Sequence, residues 1–452
     1  MQIHRRRRAR AGLIGGVSIL ASIASVTLTS LPTASASNLP PGNTVIIGSG
    51  SQTAYSLMVG LDDLFNGSQG CNEIASGSQT QSYSFNCAAG PSGAVGLPAA
   101  NGENPLNDVA IQEPPLGGTA GLKQLEGQVP VLCTPSSPTC TSSESVSFST
   151  TVRNPLPTDP TGLNFVNYAD DALSWFHLTK FDGASTPSAK ITNLTILDLT
   201  NIWNGTYTNW DQIPGAGGTS GTICVYVTNT SAGVYSLWQT YLGLSSLDAY
   251  VDGLSTLPGC DTPAGQTYAT SHTIEQNEDG SIIANGDEAN AIFFFSDGRY
   301  RESCKEVACG GTAIPGGGTT ALGKINGVTL NNTNIINGKW PTDIYLSNVY
   351  SDGSNGTIPA AAQATLNYVS EDGFLCKPQT SGGSDILDPL TGVWYRTEIA
   401  NLINGQGDVP LALAAEGTVT NPAVLSSPYN GYDSSGTDPQ GYCRVTTTDG
   451  NS

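Results

Sequence analysis

The chain repeats one local pattern three times: a short apolar run, a turn rich in Gly, Ser and Thr, and a segment with apolar residues at helical spacing. The first copy has an apolar run at 44–47, a tight turn predicted at Gly48 and Gly50, and a predicted helix over 56–65. The same order recurs over 108–125 and 223–242. Strands that alternate with helices predict an α/β fold with mainly parallel strands flanked by helices.

The three turns are the first candidate site. A strand–turn–helix unit presents backbone N–H groups and hydroxyls at a helix N-terminus, which suits a small anion or a polar solute. The alternative is that the turns only connect the elements, since Gly and Ser are common in any such turn. In open α/β sheets ligands lie beyond the carboxyl ends of the strands, so we expect the three turns to meet there.

Other segments complete the predicted α/β pattern. Strands are predicted at 145–149, 165–169, 291–296 and 344–350, and helices at 170–178, 194–203, 360–369 and 394–403. Adjacent carboxylates such as Asp62-Asp63 and Asp170-Asp171 diverge on a helix, so we expect a solvated face there rather than a catalytic pair.

The first 36 residues have the pattern of a signal peptide. Five arginines precede an apolar run at 11–31, and Ala34-Ser35-Ala36 follows as a small-residue cleavage site. A membrane anchor helix is the alternative, and the choice between general and twin-arginine export stays open. No cysteine lies in or just after this segment, so the prediction is a secreted, extracellular protein without a lipid anchor.

The net charge of the chain limits the classes of partner that it is expected to bind. The predicted signal peptide, or leader, holds five of the 17 Lys and Arg residues and none of the 37 Asp and Glu residues. The rest of the chain therefore has 12 basic and 37 acidic residues, an excess of 25 acidic residues. Such a surface argues against nucleic acid and anionic membranes. A small anion remains compatible, because local backbone donors outweigh a distant, screened charge.

Ten cysteines, all after the leader, predict disulfides in an exported protein. Short loops favour the pairs Cys71–Cys87, Cys133–Cys140 and Cys304–Cys309, which leaves Cys224–Cys260 and Cys376–Cys443. No CxxC motif occurs, and His177 and His272 are the histidines beyond the leader, so no metal site or cofactor is expected.

Seven stretches in this order resemble the phosphate-binding component (PstS-like) of phosphate ABC importers, particularly the longer actinobacterial type. They are GSGSQTAYSLMVGLDDLFN at 48–66, DVAIQEPPLGGTAGLKQL at 108–125, GLNFVNYADDALSWF at 162–176, LTNIWNGTYTNWDQI at 199–213, AIFFFSDGRY at 291–300, INGKWPTDIYLSNVY at 336–350 and DPLTGVWYRTEI at 388–399. The resemblance implies a type II periplasmic-binding-protein-like fold whose two lobes close on a ligand by hinge motion. It assigns residues 43–159 and 341–452 to lobe I and residues 160–340 to lobe II.

The resemblance also implies the ligand-binding residues, which lie in three loops and one strand end: Ser51, Gln52 and Thr53; Gly118 and Thr119; Ser231, Gly233 and Tyr235; and Arg153. The third loop departs from the Ser-Gly-Thr pattern of the family, because Ala232-Gly233-Val234 carries no hydroxyl. We therefore expect phosphate binding to be weakened or replaced by another small ligand.

The expected function is an exported, monomeric solute-binding protein without catalytic activity, with the membrane subunits of an ABC importer as its partner. One alternative is a surface or structural protein that kept the fold and lost phosphate binding. A secreted hydrolase is another, although no Gly-x-Ser-x-Gly motif occurs. Five aromatic residues lie near the third loop in sequence: Trp203, Tyr207, Trp210, Tyr235 and Trp238. We expect them in the core and on the lobe surface, with stacking on a sugar or other neutral solute as the alternative.

Overall fold

A computed structural model describes the protein at residues 46–66, 68, 109–111, 118–127, 146–228, 230, 232–247, 255–274, 286–306, 319–336, 338–379, 384–388, 391–411 and 443–448. The predicted signal peptide lies outside these residues, as does nearly all of the loop expected at 66–105.

Helices and short strands alternate over much of the described chain. The helices are α1 (Gln52–Asn66), α2 (Gly118–Leu125), α3 (Ile196–Trp203), α4 (Gly233–Tyr241), α5 (Tyr268–Ser271), α6 (Asp297–Glu306), α7 (Asn332–Ile336), α8 (Gln363–Val369) and α9 (Tyr395–Gln406). The strands are β1 (Ile46–Gly50), β2 (Val109–Ile111), β3 (Phe148–Thr151), β4 (Leu163–Phe181), β5 (Ala184–Ser185), β6 (Asn193–Leu194), β7 (Cys224–Val225), β8 (Val227–Thr228), β9 (Thr273–Ile274), β10 (Ala291–Ser296), β11 (Thr319–Leu322), β12 (Lys324–Ile325), β13 (Asp343–Ser351), β14 (Val409–Pro410) and β15 (Arg444–Thr447).

The long strand β4 connects two groups of strands in one curled, mixed sheet. Its order is β2-β1-β3-β13-β4-β10-β7, and β5, β11, β14 and β15 also pair with β4. Residues 163–172 of β4 pair with β13, β14 and β15, and residues 173–181 pair with β10, β11 and β5. The strands that pair with residues 163–172 of β4, together with β1, β2 and β3, are called the first strand group. The strands that pair with residues 173–181, together with β7, are called the second strand group. The predicted α/β class is confirmed, and parallel pairing occurs between β1, β2 and β3 and between β7 and β10.

The helix predicted over 170–178 is wrong, because this segment is the middle of β4. Residues 163–178 are buried throughout, and Trp175 and Phe176 belong to different apolar clusters on the two faces of the strand. A strand buried on both faces loses the alternation of apolar and polar residues, so its pattern matches helical spacing by chance. The solvated face expected there is wrong too, since Asp170 and Asp171 are 1% and 0% exposed. Asp62 is also buried and accepts a hydrogen bond from the Tyr368 hydroxyl at 2.6 Å.

The first turn also begins later than predicted. Strand β1 continues through Gly48 to Gly50, because Gly48 faces the ring of Phe148 on β3. A Cβ on Gly48 would lie 2.3 Å from the Cζ of Phe148. Glycine at this position therefore lets β1 pair with β3, rather than ending the strand.

Four of the five aromatic residues near the third loop are buried in the core, and Tyr207 is half-buried beside it. Trp203, Trp210 and Trp238 are fully buried. The ring of Trp238 stacks on Phe294 with centroids 5.1 Å apart and meets Trp203 edge to face at 5.3 Å. Through these ring contacts, helices α3 and α4 pack against β10.

Two of the predicted disulfides are present, Cys224–Cys260 and Cys376–Cys443. The second ties β15 to the segment that follows α8. The other three predicted pairs involve residues or side chains outside the described part. Among the described residues no helix is long and apolar enough to cross a membrane.

Candidate functional site

The N-termini of three helices meet at one short segment, residues 150–153, at the carboxyl end of β3. Helices α1, α2 and α4 each begin after one of the three turns that the sequence singled out. Each helix start contacts a different part of the segment, and a glycine at or just before the start of each helix lets the two backbones lie close together.

Helix α1 begins against Thr150. The N–H of Ser51 donates to the carbonyl oxygen of Thr150 at 3.0 Å and to its hydroxyl at 2.8 Å. Gly50 has a φ of +144°, and a Cβ there would lie 2.1 Å from the Thr150 carbonyl oxygen. Ser51 and Thr53 are 3% and 7% exposed. The hydroxyls of the first predicted loop are therefore enclosed where β1 and β3 end.

Helix α2 begins against Thr151. A Cβ on Gly118 would lie 2.4 Å from the Thr151 hydroxyl oxygen, so only glycine allows this approach. The helix is eight residues long, and its N-terminal N–H groups carry the positive end of the helix dipole. Thr119, the neighbouring predicted ligand residue, is exposed. The second loop thus contributes backbone close to Thr151 and one hydroxyl at the surface.

Helix α4 begins against Val152 and Arg153. A Cβ on Gly233 would lie 2.8 Å from a methyl group of Val152 and 4.0 Å from the backbone nitrogen of Arg153. The N-cap is Ala232, and no side chain caps this helix. An uncapped helix start can satisfy its N–H groups through a bound acceptor.

Arg153 lies at the end of the segment, but its guanidinium is paired with a carboxylate. Its two terminal nitrogens donate to the two carboxylate oxygens of Asp159 at 2.7 and 2.8 Å, and one also donates to the carbonyl oxygen of Asn154 at 2.9 Å. The guanidinium carbon lies 5.9 Å from the ring centre of Phe165. Asp159 therefore neutralises the positive charge that the sequence placed near the ligand.

Tyr235, Ser231 and Gln52 are the remaining residues that the sequence predicted as ligand-binding. Tyr235 is 5% exposed and belongs to the apolar core around α4. Ser231 lies outside the described residues, and so does the side chain of Gln52. The sequence did not single out Thr150 and Thr151 as site residues, although a strand ending in two hydroxyl residues was a usable signal.

A second polar cluster surrounds His272. Its Nε2 lies 2.7 Å from Asp287, and its Nδ1 lies 2.9 Å from both the Ser271 hydroxyl and the carbonyl oxygen of Tyr268. The carbonyl contact requires a proton on Nδ1, which removes the lone pair that a general base would use on Ser271. The imidazole is 0% exposed and stacks on Tyr268 at 3.6 Å. This Ser–His–Asp arrangement therefore fits a structural role.

Metal binding finds little support in the described part of the chain. Its one candidate group is Cys224, Cys260 and Asp287. Both sulfurs belong to a disulfide and so cannot act as thiolate ligands.

No protein-family model and no curated protein matches the chain. Among solved structures it is similar to a protein from Clostridium perfringens, assigned as a phosphate ABC transporter substrate-binding protein and solved with bound phosphate. That match has 13% identity and a TM-score of 0.43, and covers 81% of this chain and 100% of the other. An ABC-type phosphate transport receptor from Vibrio cholerae matches at 16% identity and a TM-score of 0.39, covering 68% and 88%. A phosphate-binding protein from Stenotrophomonas maltophilia matches at 15% and 0.39, covering 84% and 97%.

Proposed function

We propose that this protein is an exported solute-binding protein that holds a small anion or another small polar ligand at residues 150–153. The observation that carries the proposal is the convergence of three helix N-termini on that segment. Aligned N–H groups and helix dipoles there favour a group that accepts hydrogen bonds, and above all one with negative charge. In this proposal residues 43–159 and 341–452 form one lobe, residues 160–340 form the other, and the ligand lies between them.

The proposed site binds phosphate more weakly than an intact phosphate-binding loop would. The third loop offers Ala232 and Val234 where hydroxyl donors are expected, and Arg153 is already paired with Asp159. A desolvated, multiply charged oxyanion loses about 1.5–3 kcal/mol for each missing charge-assisted hydrogen bond. Two such losses convert tight binding into weak binding, so a singly charged or neutral polar ligand fits the described residues better.

We propose secretion by means of the N-terminal leader, a monomeric state and delivery to the membrane subunits of an ABC importer. The second candidate is a surface protein that has lost solute binding. The observation in its favour is the apolar surrounding of the third helix start, where Val152, Val234 and Tyr235 are all buried. Such side chains exclude water without offering donors to a ligand.

Calorimetric titration of the leader-free protein at low salt tests the proposal. Phosphate, sulfate and a neutral sugar are titrated into wild type, Ser51→Ala and Ser354→Ala. Ser51 lies at the start of α1, whereas the exposed Ser354 follows β13, beyond the opposite end of β3, and serves as the matched control.

We expect phosphate binding weaker than micromolar, reduced further by Ser51→Ala and unchanged by Ser354→Ala. Micromolar or tighter binding by wild type would contradict the weakened site and restore phosphate as the ligand. No heat and no thermal stabilisation with any of the three solutes would favour the surface-protein alternative.

A further inference from the structure

Three buried carboxyl groups meet where β4 passes from the first strand group to the second. Asp171 lies on β4 at that point, Asp297 follows β10 of the second group, and Asp408 precedes β14 of the first group. Their exposures are 0%, 0% and 2%. We call these three residues the carboxyl cluster. No feature of the sequence predicted it, since its members are up to 237 positions apart.

Asp171 and Asp408 both lie against Gly298 at the start of α6. One oxygen of Asp171 accepts the N–H groups of Gly298 at 2.9 Å and Ala172 at 2.7 Å. Burial raises the pKa of Asp171, and a side-chain hydrogen bond with the Asp408 carboxyl opposes that shift. Two carboxylates are both acceptors, so they form a hydrogen bond only when one of them is protonated.

Gly298 holds the two strand groups together at the same place. A Cβ on Gly298 would lie 2.1 Å from Oδ1 of Asp408, and one on Gly407 would lie 3.2 Å from the Cα of Gly298. The start of α6 is therefore in direct contact with the turn between α9 and β14. Any repulsion between Asp408 and the start of α6 acts on this contact.

Asp297 is the third carboxyl group of the cluster, so the acidic groups there outnumber Arg301, the basic residue paired with Asp297. Arg301 pairs with one oxygen of Asp297 at 2.6 Å, and the other oxygen has no hydrogen-bond partner among the described residues. Burial, with Asp171 nearby, raises the pKa of Asp297 to about 7, and burial raises the pKa of Asp171 as well. Two tyrosines also face the cluster, Tyr168 on β4 beside Asp408 and Tyr300 on α6 beside Asp297. Burial raises the pKa of each hydroxyl, and the neighbouring carboxyl raises it further.

We propose that the carboxyl cluster is a proton-controlled joint, in which a proton shared between Asp171 and Asp408 ties the two strand groups together and its loss to solvent in alkaline solution loosens them. As a form of regulation of the site at 150–153, it rests on the proposed function, because the two groups lie largely in the two proposed lobes. Loss of the proton leaves two buried carboxylates facing each other, and like charges in a poorly hydrated site repel. Separation of the strand groups relieves that repulsion, so the ligand is held in acidic and neutral solution and released in alkaline solution.

The test uses the ligand-free, leader-free protein, so that its failure is distinguishable from a failure of ligand binding. Amide hydrogen exchange is followed by mass spectrometry over residues 297–306 and 404–411 at about pH 6 and about pH 8.5, after correction for the intrinsic exchange rate. Asp408→Asn supplies N–H donors in place of the shared proton and cannot ionise. Asp372→Asn is the control, because the Asp372 side chain is 72% exposed, pairs with Lys377 and is not a member of the carboxyl cluster.

We expect protection of both segments to fall about tenfold or more from the lower to the higher pH in wild type and in Asp372→Asn, and less than about twofold in Asp408→Asn. Equal protection at both pH values in wild type would overturn the proposal, and so would an unchanged pH dependence in Asp408→Asn. If Asp408→Asn does not fold, the wild-type radius of gyration is measured by X-ray scattering at both pH values. A radius that does not increase at the higher pH overturns the proposal in that case.

Discussion

The Cα of Gly50 lies where a side chain on Gly121 would stand. A Cβ on Gly121 would be 2.5 Å from that Cα and 2.5 Å from the carbonyl oxygen of Ser49. Both neighbours are backbone atoms of β1, which cannot rotate away as a flexible side chain can. Helix α2 therefore rests directly on β1, and this contact sets the position of its N-terminus at the candidate site.

The first prediction concerns this contact. We expect Gly121→Ala to lower the free energy of unfolding by about 2–4 kcal/mol, because the new methyl group forces α2 away from β1. Gly60→Ala is the control. It lies within α1, where a Cβ would have an ordinary 3.4 Å contact with Leu402, so the higher helix propensity of alanine should stabilise by up to about 1 kcal/mol. Urea unfolding of both variants measures the difference, and equal stabilities would contradict the close packing.

The second prediction concerns the pair Arg153–Asp159. Both side chains are about 10% exposed or less, so Asp159→Asn leaves an enclosed guanidinium without its carboxylate. We expect a lower melting temperature, and phosphate affinity raised about three- to tenfold, because a positive charge near the site is no longer neutralised.

Asp372→Asn is the matched control for that pair. Its partner Lys377 is 2.5 Å away, but the Asp372 side chain is 72% exposed. An exposed ion pair contributes about 0–1 kcal/mol, so stability and phosphate affinity should both stay close to wild type. Thermal unfolding and calorimetry measure both effects. Unchanged phosphate affinity in Asp159→Asn would show that the charge of Arg153 does not reach the ligand.

The third prediction concerns acid stability. Burial lowers the pKa of the His177 imidazole to about 4, and its Nδ1 lies 2.8 Å from the Ser188 hydroxyl. The unfolded chain binds a proton to this histidine below about pH 6.5, whereas the folded protein does not, so stability falls between about pH 6.5 and pH 4. The loss from this residue at pH 5 is about 2 kcal/mol.

His177→Gln keeps a polar side chain that does not titrate. We expect the variant to be less stable than wild type at pH 7 and to lose about 2 kcal/mol less than wild type between pH 7 and pH 5. Denaturant unfolding at the two pH values measures this difference. A parallel loss in both proteins would mean that His177 is protonated in the folded state.

The fourth prediction concerns the disulfide between Cys376 and Cys443. It encloses a long loop, since its cysteines have a sequence separation of 67, and β15 begins directly after Cys443. Replacing both cysteines by serine should cost about 2–4 kcal/mol. It should also increase hydrogen exchange in β15 more than in β13, since β15 pairs with β4 over only four residues. Equal exchange in the two strands would show that pairing alone holds β15.

Local sequence patterns predicted the elements whose residues meet close neighbours along the chain. Strand β10 was predicted with the observed bounds, and helix α3 was predicted within two residues of its start. Their apolar residues recur at the period of the element, and turns such as Asn204-Gly205 end them. The pairs Cys224–Cys260 and Cys376–Cys443 also followed from counting cysteines and their spacing.

The sequence by itself therefore determined the fold class, two disulfides and the three strand–turn–helix segments whose helices begin at the candidate site. Tertiary structure alone decided that residues 170–178 are strand, because pairing with β13 and β10 buries both faces and removes the period that the pattern relies on. It also decided that Asp159 pairs with Arg153, and that Asp171, Asp297 and Asp408 share one buried place. Such contacts join residues far apart in the chain or without a periodic relation, and their energies depend on burial, which no local pattern encodes.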